Sequence, residues 1–194
     1  MADLSQCIHP VILAVPHQYR AQNGRHRVKT LSRLARQALE FCAAKSQVQL
    51  GALVKDNKGV PQPFDNHYWS LTHKPKYVGA VISLQRVGID VEEIKPISDA
   101  MFKRIATDSE WQLAVDCSEQ LFFRYWTAKE AVLKAEGLGM AGLSRCTIMQ
   151  IHDQHHLEIT CLDKRYVIEH FYFNGHIAAV VQNHLESRWT IQHA

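Results

Sequence analysis

The chain has 194 residues, of which 46% are hydrophobic and 21% charged, and its formal net charge is +3. This composition is typical of a folded globular protein and argues against long disordered segments. The small positive charge suits an anionic ligand or an acidic partner, but it falls short of the charge that indicates nucleic-acid binding.

Five scattered cysteines without a Cys-x-x-Cys pair argue against both a disulfide framework and a zinc ribbon. No segment approaches the roughly 18 consecutive apolar residues that a membrane span requires. The apolar stretch 11–15 is also too short for the core of a signal sequence. We therefore expect a cytoplasmic protein that binds neither membranes nor nucleic acids.

An amphipathic helix is predicted over residues 23–45, because apolar side chains recur at helical spacing. They are Leu31, Leu34, Ala35, Ala38, Leu39 and Cys42. The opposite side carries Arg25, Lys29, Arg33 and Arg36. This basic stripe is either a solvated helix face or, near the helix start, an anion site built on Arg25 and Arg27.

Strands are predicted after this helix over residues 50–54, 68–72, 77–84 and 87–92. A turn over residues 56–61 separates the first strand from the second, and Gln85-Arg86 closes a hairpin between the last two. The first half of the chain therefore reads as a helix laid against a small antiparallel sheet.

The second half repeats this layout. Helices are predicted over residues 98–105, 107–115 and 118–136. The second begins with a capping box in Thr107-Asp108-Ser109-Glu110, and Gly137 ends the third. Strands follow over residues 146–151, 156–162, 165–173 and 177–181. The predicted fold class is α+β, with two similar halves at residues 1–95 and 96–194, divided at Lys95-Pro96, and with the active site in the cleft between them.

One acidic motif lies on a predicted strand, Gly88-Ile89-Asp90-Val91-Glu92. Strand periodicity sends Ile89 and Val91 into the core and directs Asp90 and Glu92 out of the same face. Taken alone, the two carboxylates could equally be the hydrated face of a hairpin.

A second motif lies on the long helix, Trp126-Thr127-Ala128-Lys129-Glu130-Ala131-Val132-Leu133-Lys134. Glu130 and Lys134 lie one turn apart at the edge of the apolar arc, which by itself is also typical of a surface ion pair. Lys129 falls inside that arc, where an unpaired lysine is costly to bury. Three carboxylates and a lysine that can converge indicate a hard divalent cation and a phosphate-bearing substrate.

Together these residues resemble the 4′-phosphopantetheinyl transferase superfamily, whose hallmark is a G-I/V-D-x-E strand followed by W-x-x-K-E-x-x-x-K. Trp69-Ser70-Leu71-Thr72-His73 is similar to the family's F-N-x-S-H segment. Gly59-Val60-Pro61 is similar to its G-K-P turn, with valine in place of the lysine. The layout resembles the larger Sfp-like members, in which one chain forms a pseudo-dimer.

The resemblance implies an enzyme that transfers 4′-phosphopantetheine from coenzyme A to a serine of an apo acyl or peptidyl carrier protein, releasing 3′,5′-ADP. It implies Mg²⁺, with Mn²⁺ as an alternative, held by Asp90, Glu92 and Glu130, and it brings Asp90 into contact with coenzyme A. Glu130 would also act as the general base. Lys134 would neutralise or protonate the departing phosphate, and Lys129 would contact the pyrophosphate or brace the carboxylates.

The coenzyme A contacts follow from the same resemblance. His73 would bind a phosphate, Thr72 would hold the nucleotide, and Lys58 would substitute for the lysine missing at Val60. Arg25 and Arg27 are the candidates for the 3′-phosphate. We expect a monomer, and the sequence does not identify the carrier protein.

Two other functions stay open at this point. One is another Mg²⁺-dependent phosphoryl enzyme, such as a nucleotide hydrolase, although the sequence has neither a P-loop nor a Rossmann glycine motif. The other is a carrier-binding module without catalytic activity, which the complete second motif disfavours.

Overall fold

The structure, a computed structural model, describes residues 7–193. The helices are α1 (His17–Arg20), α2 (Gly24–Lys45), α3 (Asp99–Ile105), α4 (Asp108–Trp111) and α5 (Glu119–Glu136), followed by a 3-10 helix at Met140–Arg145. The strands are β1 (Cys7–Ile8), β2 (Val11–Ala14), β3 (Tyr68–His73), β4 (Tyr77–Ser83), β5 (Ile89–Glu93), β6 (Cys146–Ile151), β7 (His156–Cys161), β8 (Lys164–Phe173), β9 (His176–Val181), β10 (Glu186–Ser187) and β11 (Thr190–His193).

The first sheet has the strand order β11-β2-β4-β3 and carries α2 on one face. The helix packs through the apolar stripe that the sequence predicts, and every residue of that stripe is buried. The sheet is antiparallel except at its edge, where β11 runs parallel to β2 with Thr190 opposite Val11. The short strands β1 and β10 form a separate parallel pair.

The second sheet has the order β5-β9-β8-β7-β6 and is antiparallel throughout. α5 packs on it and buries an apolar arc that includes Tyr125, Ala128, Val132 and Leu133. The predicted α+β class is confirmed, with one long helix on each sheet. The sheets do not follow the predicted halves, since β5 belongs to the second sheet and β11 to the first. A further apolar cluster joins the two sheets, with Ile12 of β2 and Val180 of β9 among its buried members.

Caps fix both ends of α5. The Ser118 hydroxyl accepts a hydrogen bond from Leu121 N at 3.3 Å, which satisfies one of the unpaired donors of the first turn. Gly137 has φ 69°, the left-handed conformation that ends a helix, and its N–H donates to Leu133 O and Lys134 O. The capping box at Thr107 is also present, although α4 ends at Trp111 rather than near residue 115.

The predicted hairpin between residues 77–84 and 87–92 is wrong. β4 pairs with β2 and β3, whereas β5 pairs with β9, with Asp90 opposite Ala179. The chain therefore passes from the first sheet to the second between Ser83 and Ile89. Periodicity specifies which face of a strand is buried but not which strand it pairs with. The strand that precedes β5 in sequence is therefore not its partner.

Two further differences concern the first sheet. The predicted strand at residues 50–54 is not formed, and only Lys55 pairs, in an isolated bridge with Pro61. Neither β2 nor β11 is among the predicted strands, although β2 lies inside the first sheet and β11 supplies its outer strand from the far end of the chain. Among residues 7–193, no helix is both long enough and apolar enough to cross a membrane.

Candidate active site between β5 and α5

The backbone of the chain at Gly88, just before β5, lies almost directly against the helix α5. A Cβ atom at position 88 would stand 1.8 Å from Ala131 O and 2.9 Å from Ala135 N. Only glycine allows this approach, because the obstructing atoms belong to the backbone and cannot rotate away. The first residue of the strand motif thereby brings its carboxylates beside the helix motif.

Asp90 is the buried centre of the site, with 2% of its surface exposed. Its Oδ1 accepts hydrogen bonds from Thr72 Oγ1 at 2.9 Å and from Lys134 Nζ at 2.7 Å. Its Oδ2 is buried and has no hydrogen-bond partner. A buried carboxylate oxygen without a partner is costly, so this atom is suited to an additional positive ligand.

Lys134 connects the two motifs. Besides Asp90, its ammonium donates to Ile89 O at 2.9 Å, so one side chain of α5 is tied to both the backbone and the carboxylate of β5. Lys134 also lines the cavity described below, so one residue borders both that cavity and Asp90.

Glu92 lies two residues further along β5 and is held from two sides. Its Oε1 accepts from Lys74 Nζ at 2.5 Å and from Trp126 Nε1 at 2.7 Å. Burial of Lys74 opposes its protonation, but the charges of Asp90 and Glu92 prevail and raise the pKa of its ammonium. The tryptophan of the helix motif therefore orients a carboxylate of the strand motif.

Glu130 faces the same group of charges from α5. Burial, reinforced by the negative charges of Asp90 and Glu92, raises the pKa of the Glu130 carboxyl, while Lys134 and Lys74 act in the opposite direction. The three carboxylates thus share one electrostatic environment, in which two lysines offset only part of their charge.

A cavity of about 350 Å³ opens beside Glu130 and Lys134. Its walls come from the loop before β3, from β3 itself and from the end of α5. The lining residues are Lys55, Lys58, Gly59, Val60, Pro61, Ser70, Leu71, Glu130, Leu133, Lys134, Gly137, Leu138 and Gly139. The pocket therefore combines an apolar wall with three lysines, which suits a ligand that has both an apolar part and a phosphate part.

The loop that carries Lys58 is fixed by Asp56. The Asp56 Oδ1 accepts from Lys58 N at 2.9 Å and from Val60 N at 2.8 Å. Val60 then packs on the end of α5, since a Cβ atom on Gly137 would lie 2.9 Å from Val60 Cγ1. Val60 thus closes the pocket wall, while Lys58, two residues earlier, lines the same pocket.

Thr72 and His73 lie at the end of β3, close to Asp90. Thr72 is buried and its hydroxyl bonds Asp90, so it supports a carboxylate and does not present a free surface to a nucleotide. His73 is exposed at the strand end. Loss of water around its ring, together with the charges of Lys134, Lys74 and Lys55, lowers the pKa of His73.

Lys129 does not join these residues. Its ammonium is buried on another side of α5, where it lies 2.6 Å from Glu110 Oε1 and donates to Ile105 O at 2.8 Å. Burial opposes ionisation of Glu110, but the hydrogen bond from Lys129 lowers its pKa nevertheless. Lys129 therefore braces Glu110, whereas the resemblance implied a contact with the pyrophosphate or with the three carboxylates of the site.

Arg25 and Arg27 also lie apart from the cavity. They line a shallow surface on the first turns of α2 together with Lys29, Arg33 and Arg36, and no residue of α2 lines the cavity beside Glu130.

Three residues of the site were not predicted, namely Lys55, Ser70 and Lys74. The Ser70 hydroxyl accepts from Ile89 N at 3.2 Å and so helps to align β5 beside β3. Strand periodicity carries a signal for Ser70 alone, since it lies on the same side of β3 as Thr72.

Within residues 7–193, no three His, Cys, Asp or Glu side chains are already arranged as a metal site. Lysines occupy one oxygen each of Asp90 and Glu92. The residues nevertheless fit a hard divalent cation in chemistry and in charge. Asp90 Oδ2 is buried without a partner, and burial, together with the charges of Asp90 and Glu92, raises the pKa of Glu130.

The chain was also compared with known protein families. The model of the 4′-phosphopantetheinyl transferase superfamily matches residues 86–181, a range that includes both acidic motifs. The chain belongs to this superfamily.

Individual relatives cover a similar range. The chain is 32% identical over 101 residues to 4′-phosphopantetheinyl transferase Sfp of Bacillus subtilis, which is 50% of this chain and 45% of that protein. It is 34% identical over 97 residues to 4′-phosphopantetheinyl transferase psf-1 of Bacillus pumilus, covering 47% of this chain and 42% of that protein. It is 36% identical over 87 residues to 4′-phosphopantetheinyl transferase HetI of a Nostoc species, covering 41% and 37%. The matched part spans less than half the length of each of these relatives.

Proposed function

We propose that the protein transfers the 4′-phosphopantetheine moiety of coenzyme A to a serine of an apo acyl or peptidyl carrier protein, with release of 3′,5′-ADP. The family and the names of its relatives support this activity. The observation that carries it is Asp90, a buried carboxylate with one unpartnered oxygen, which Lys134 links to the cavity beside Glu130.

Asp90, Glu92 and Glu130 would hold Mg²⁺, or Mn²⁺ in its place. When bound, such a cation neutralises charge on the phosphates of the substrate during phosphoryl transfer. The unpartnered Oδ2 of Asp90 supports this assignment.

Glu130 is the proposed general base for the serine hydroxyl of the carrier protein. It borders the cavity, and its raised pKa makes it a better proton acceptor than a fully hydrated carboxylate. Lys134 is the proposed group that neutralises the departing phosphate, because its ammonium bonds Asp90 and the residue lines the same cavity.

Lys58 and Lys55 are the proposed contacts for the coenzyme A phosphates within the cavity, against an apolar wall formed by residues such as Val60 and Leu133. His73 would bind a further phosphate at the end of β3. Arg25 and Arg27 stay candidates for the 3′-phosphate, from a surface of α2 outside the cavity.

We further propose a cytoplasmic monomer. One chain already provides two helix-on-sheet units and both acidic motifs, so the site needs no second copy. Cys42, Cys117, Cys146 and Cys161 are all thiols rather than disulfides, which suits a reducing compartment.

A carrier panel measured by mass spectrometry tests the activity. The protein is incubated with coenzyme A, Mg²⁺ and apo carriers of fatty-acid, polyketide and peptide assembly, and we expect at least one carrier to gain one phosphopantetheine unit on its serine. Glu130→Gln keeps the size of the side chain but removes the base, and should slow transfer by about 100-fold or more.

The same assay separates the alternatives. Cleavage of coenzyme A without any acceptor would indicate a hydrolase. Binding of a carrier without mass gain would indicate a non-catalytic module. A panel in which no carrier gains mass, under conditions where a known transferase modifies them all, would rule out the proposed function.

A further inference from the structure

Two cysteine thiols, Cys146 and Cys161, face each other across neighbouring strands of the second sheet. Cys146 begins β6 and Cys161 ends β7, and the antiparallel register places the two residues directly opposite each other. Their Sγ atoms lie 3.0 Å apart, and both are free thiols. This separation is only about 1 Å longer than a disulfide bond, so a small movement of the side chains would suffice to join them.

The backbone around this pair also suits a disulfide. Ile148, two residues further along β6, stands opposite Ile159 but donates its N–H to Glu110 Oε1 on α4 at 2.8 Å. The pair at Ile148 is therefore of the non-hydrogen-bonded type. The two types alternate along an antiparallel ladder, and the bulge in β6 lies beyond Ile148, so Cys146 and Cys161 form a pair of the same type. In such pairs the Cα atoms are about 4.5 Å apart, within the range of roughly 4.4–6.8 Å that disulfides require.

Burial limits how these thiols can react in the closed structure. Cys146 is 2% exposed and Cys161 is fully buried. Loss of water raises the pKa of the Cys146 thiol, so the closed structure holds little of the reactive thiolate. However, β6 is the last strand in the order β5-β9-β8-β7-β6, and an edge element opens locally more readily than the centre of a sheet. Opening of β6 gives an oxidant access to Cys146, and reclosing returns its sulfur to Cys161.

We propose that Cys146 and Cys161 form a reversible disulfide when a low-molecular-weight disulfide such as glutathione disulfide is in excess over its thiol. Cys146 loses its thiol proton and attacks one sulfur of glutathione disulfide, which releases one glutathione and leaves a mixed disulfide. The Cys161 thiolate then attacks the Cys146 sulfur and displaces the second glutathione. The two thiols together lose two protons and two electrons, and the oxidant gains them and leaves as two thiols. The inference does not depend on the proposed function.

The disulfide would fasten the edge of the second sheet. It closes a loop that contains the whole hairpin of β6 and β7, and a loop of about 15 residues is long enough for the cross-link to restrict the unfolded chain appreciably. β6 directly follows the 3-10 helix Met140–Arg145, which in turn follows the cavity wall at residues 137–139. The link therefore secures the end of the segment that leads from the cavity to the sheet.

The test is mass spectrometry of the folded protein after equilibration with glutathione buffers that range from fully reduced to fully oxidised, without denaturant. Free thiols are alkylated before digestion with trypsin, which cleaves after Arg145 and Lys164 and releases residues 146–164 as one peptide. In the oxidised buffers we expect this peptide without alkylation and lighter by two hydrogen atoms than its reduced form. The oxidised protein should also unfold at a Tm higher by roughly 6–12 °C than the reduced protein.

Variants of single cysteines assign the link. Cys146→Ala and Cys161→Ala should each lose it, and the Tm of each variant should be the same in oxidised and reduced buffer. Cys42→Ala is the matched control, because it removes a buried thiol outside the pair and should keep both the link and the rise in Tm. The peptide from the wild type decides whether the link forms, even if an alanine variant does not fold.

Cys117 is exposed and reports on the oxidant, because it should form a mixed disulfide with glutathione. If Cys117 is modified while peptide 146–164 stays fully reduced, the disulfide is ruled out. A link that forms only in urea, or that joins either cysteine to a different partner, would also refute it. A linked protein with an unchanged Tm would refute the fastening of β6. None of these measurements involves transfer, so failure of the proposed function is a separate result.

Discussion

Replacing Gly88 with alanine tests the contact that holds the two motifs together. The new Cβ atom would lie 1.8 Å from Ala131 O. To restore a van der Waals separation of about 3.5 Å, β5 and α5 must move apart by roughly 1.7 Å. Because Lys134 Nζ lies 2.7 Å from Asp90 and 2.9 Å from Ile89 O, such a movement breaks both hydrogen bonds.

The size of the effect follows from two opposing contributions. Overpacking against backbone costs about 3 kcal/mol, at the upper end of the usual range. Alanine also restricts the unfolded chain, which returns about 0.7 kcal/mol. We therefore expect the free energy of unfolding to fall by about 2 kcal/mol, which corresponds to a decrease in Tm of roughly 4–8 °C for a chain of this size.

Urea unfolding measures the stability, and the carrier mass assay measures transfer, which should fall by about 100-fold because a displacement of an ångström at a catalytic group has that effect. Gly79→Ala is the control. Its Cβ would meet only side-chain atoms, Thr72 Cγ2 at 3.0 Å and Ile12 Cδ1 at 3.1 Å, which can shift. If the free energy of unfolding of Gly88→Ala is no lower than that of Gly79→Ala, and its transfer rate is normal, then β5 does not approach α5 as closely as described.

The other predictions concern two buried charged or titratable groups. Lys129→Met leaves the buried carboxylate of Glu110 without its partner, so the free energy of unfolding should fall by about 3 kcal/mol. Adding Glu110→Gln to this variant should recover part of that loss. A Lys129→Met protein that is as stable as the wild type but binds coenzyme A more weakly would instead favour a phosphate contact. Burial, together with the charge of Arg124, lowers the pKa of His170 from 6.5 to about 3. Because the unfolded chain takes up a proton at His170 more readily than the folded protein does, this group favours folding fully above pH 6.5. As the pH falls from 6.5 toward 3, the free energy of unfolding decreases by up to about 1.4 kcal/mol per pH unit. Urea unfolding of His170→Gln between pH 6 and 5 should show a shallower pH dependence than the wild type, and parallel curves would contradict the assignment.

The sequence predicted the elements whose signals are local. The periodicity of α2 and α5, the capping residues Ser118 and Thr107 and the left-handed Gly137 all depend on neighbours within a few positions, and the structure has them where expected. Partners that lie far away in sequence were not predicted. β5 pairs with β9 and β11 pairs with β2, and no property of either strand alone specifies that choice.

The same distinction applies to the site. Strand and helix periodicity indicated only that Asp90, Glu92, Glu130 and Lys134 can converge. In the structure Lys134 bonds Asp90, and the charges of Asp90, Glu92 and Lys134 all act on the pKa of Glu130. Lys129 was correctly expected to be buried with a partner of opposite charge, but Glu110 lies on a separate helix that periodicity cannot orient. Lys74 was missed because it follows the last residue of a strand, where the chain direction depends on tertiary contacts.

The pairing of β11 with β2 affects how the protein can fold during synthesis. Val11 leaves the ribosome early, but its neighbour Thr190 follows only after all of the helices and both acidic motifs have been made. Until then one edge of β2 exposes unpaired backbone N–H and C=O groups, which can associate with other chains. Completion of the first sheet therefore waits for the second half of the chain. For the same reason, an expression fragment ending near residue 95 would lack an outer strand of its own sheet and would be prone to aggregate.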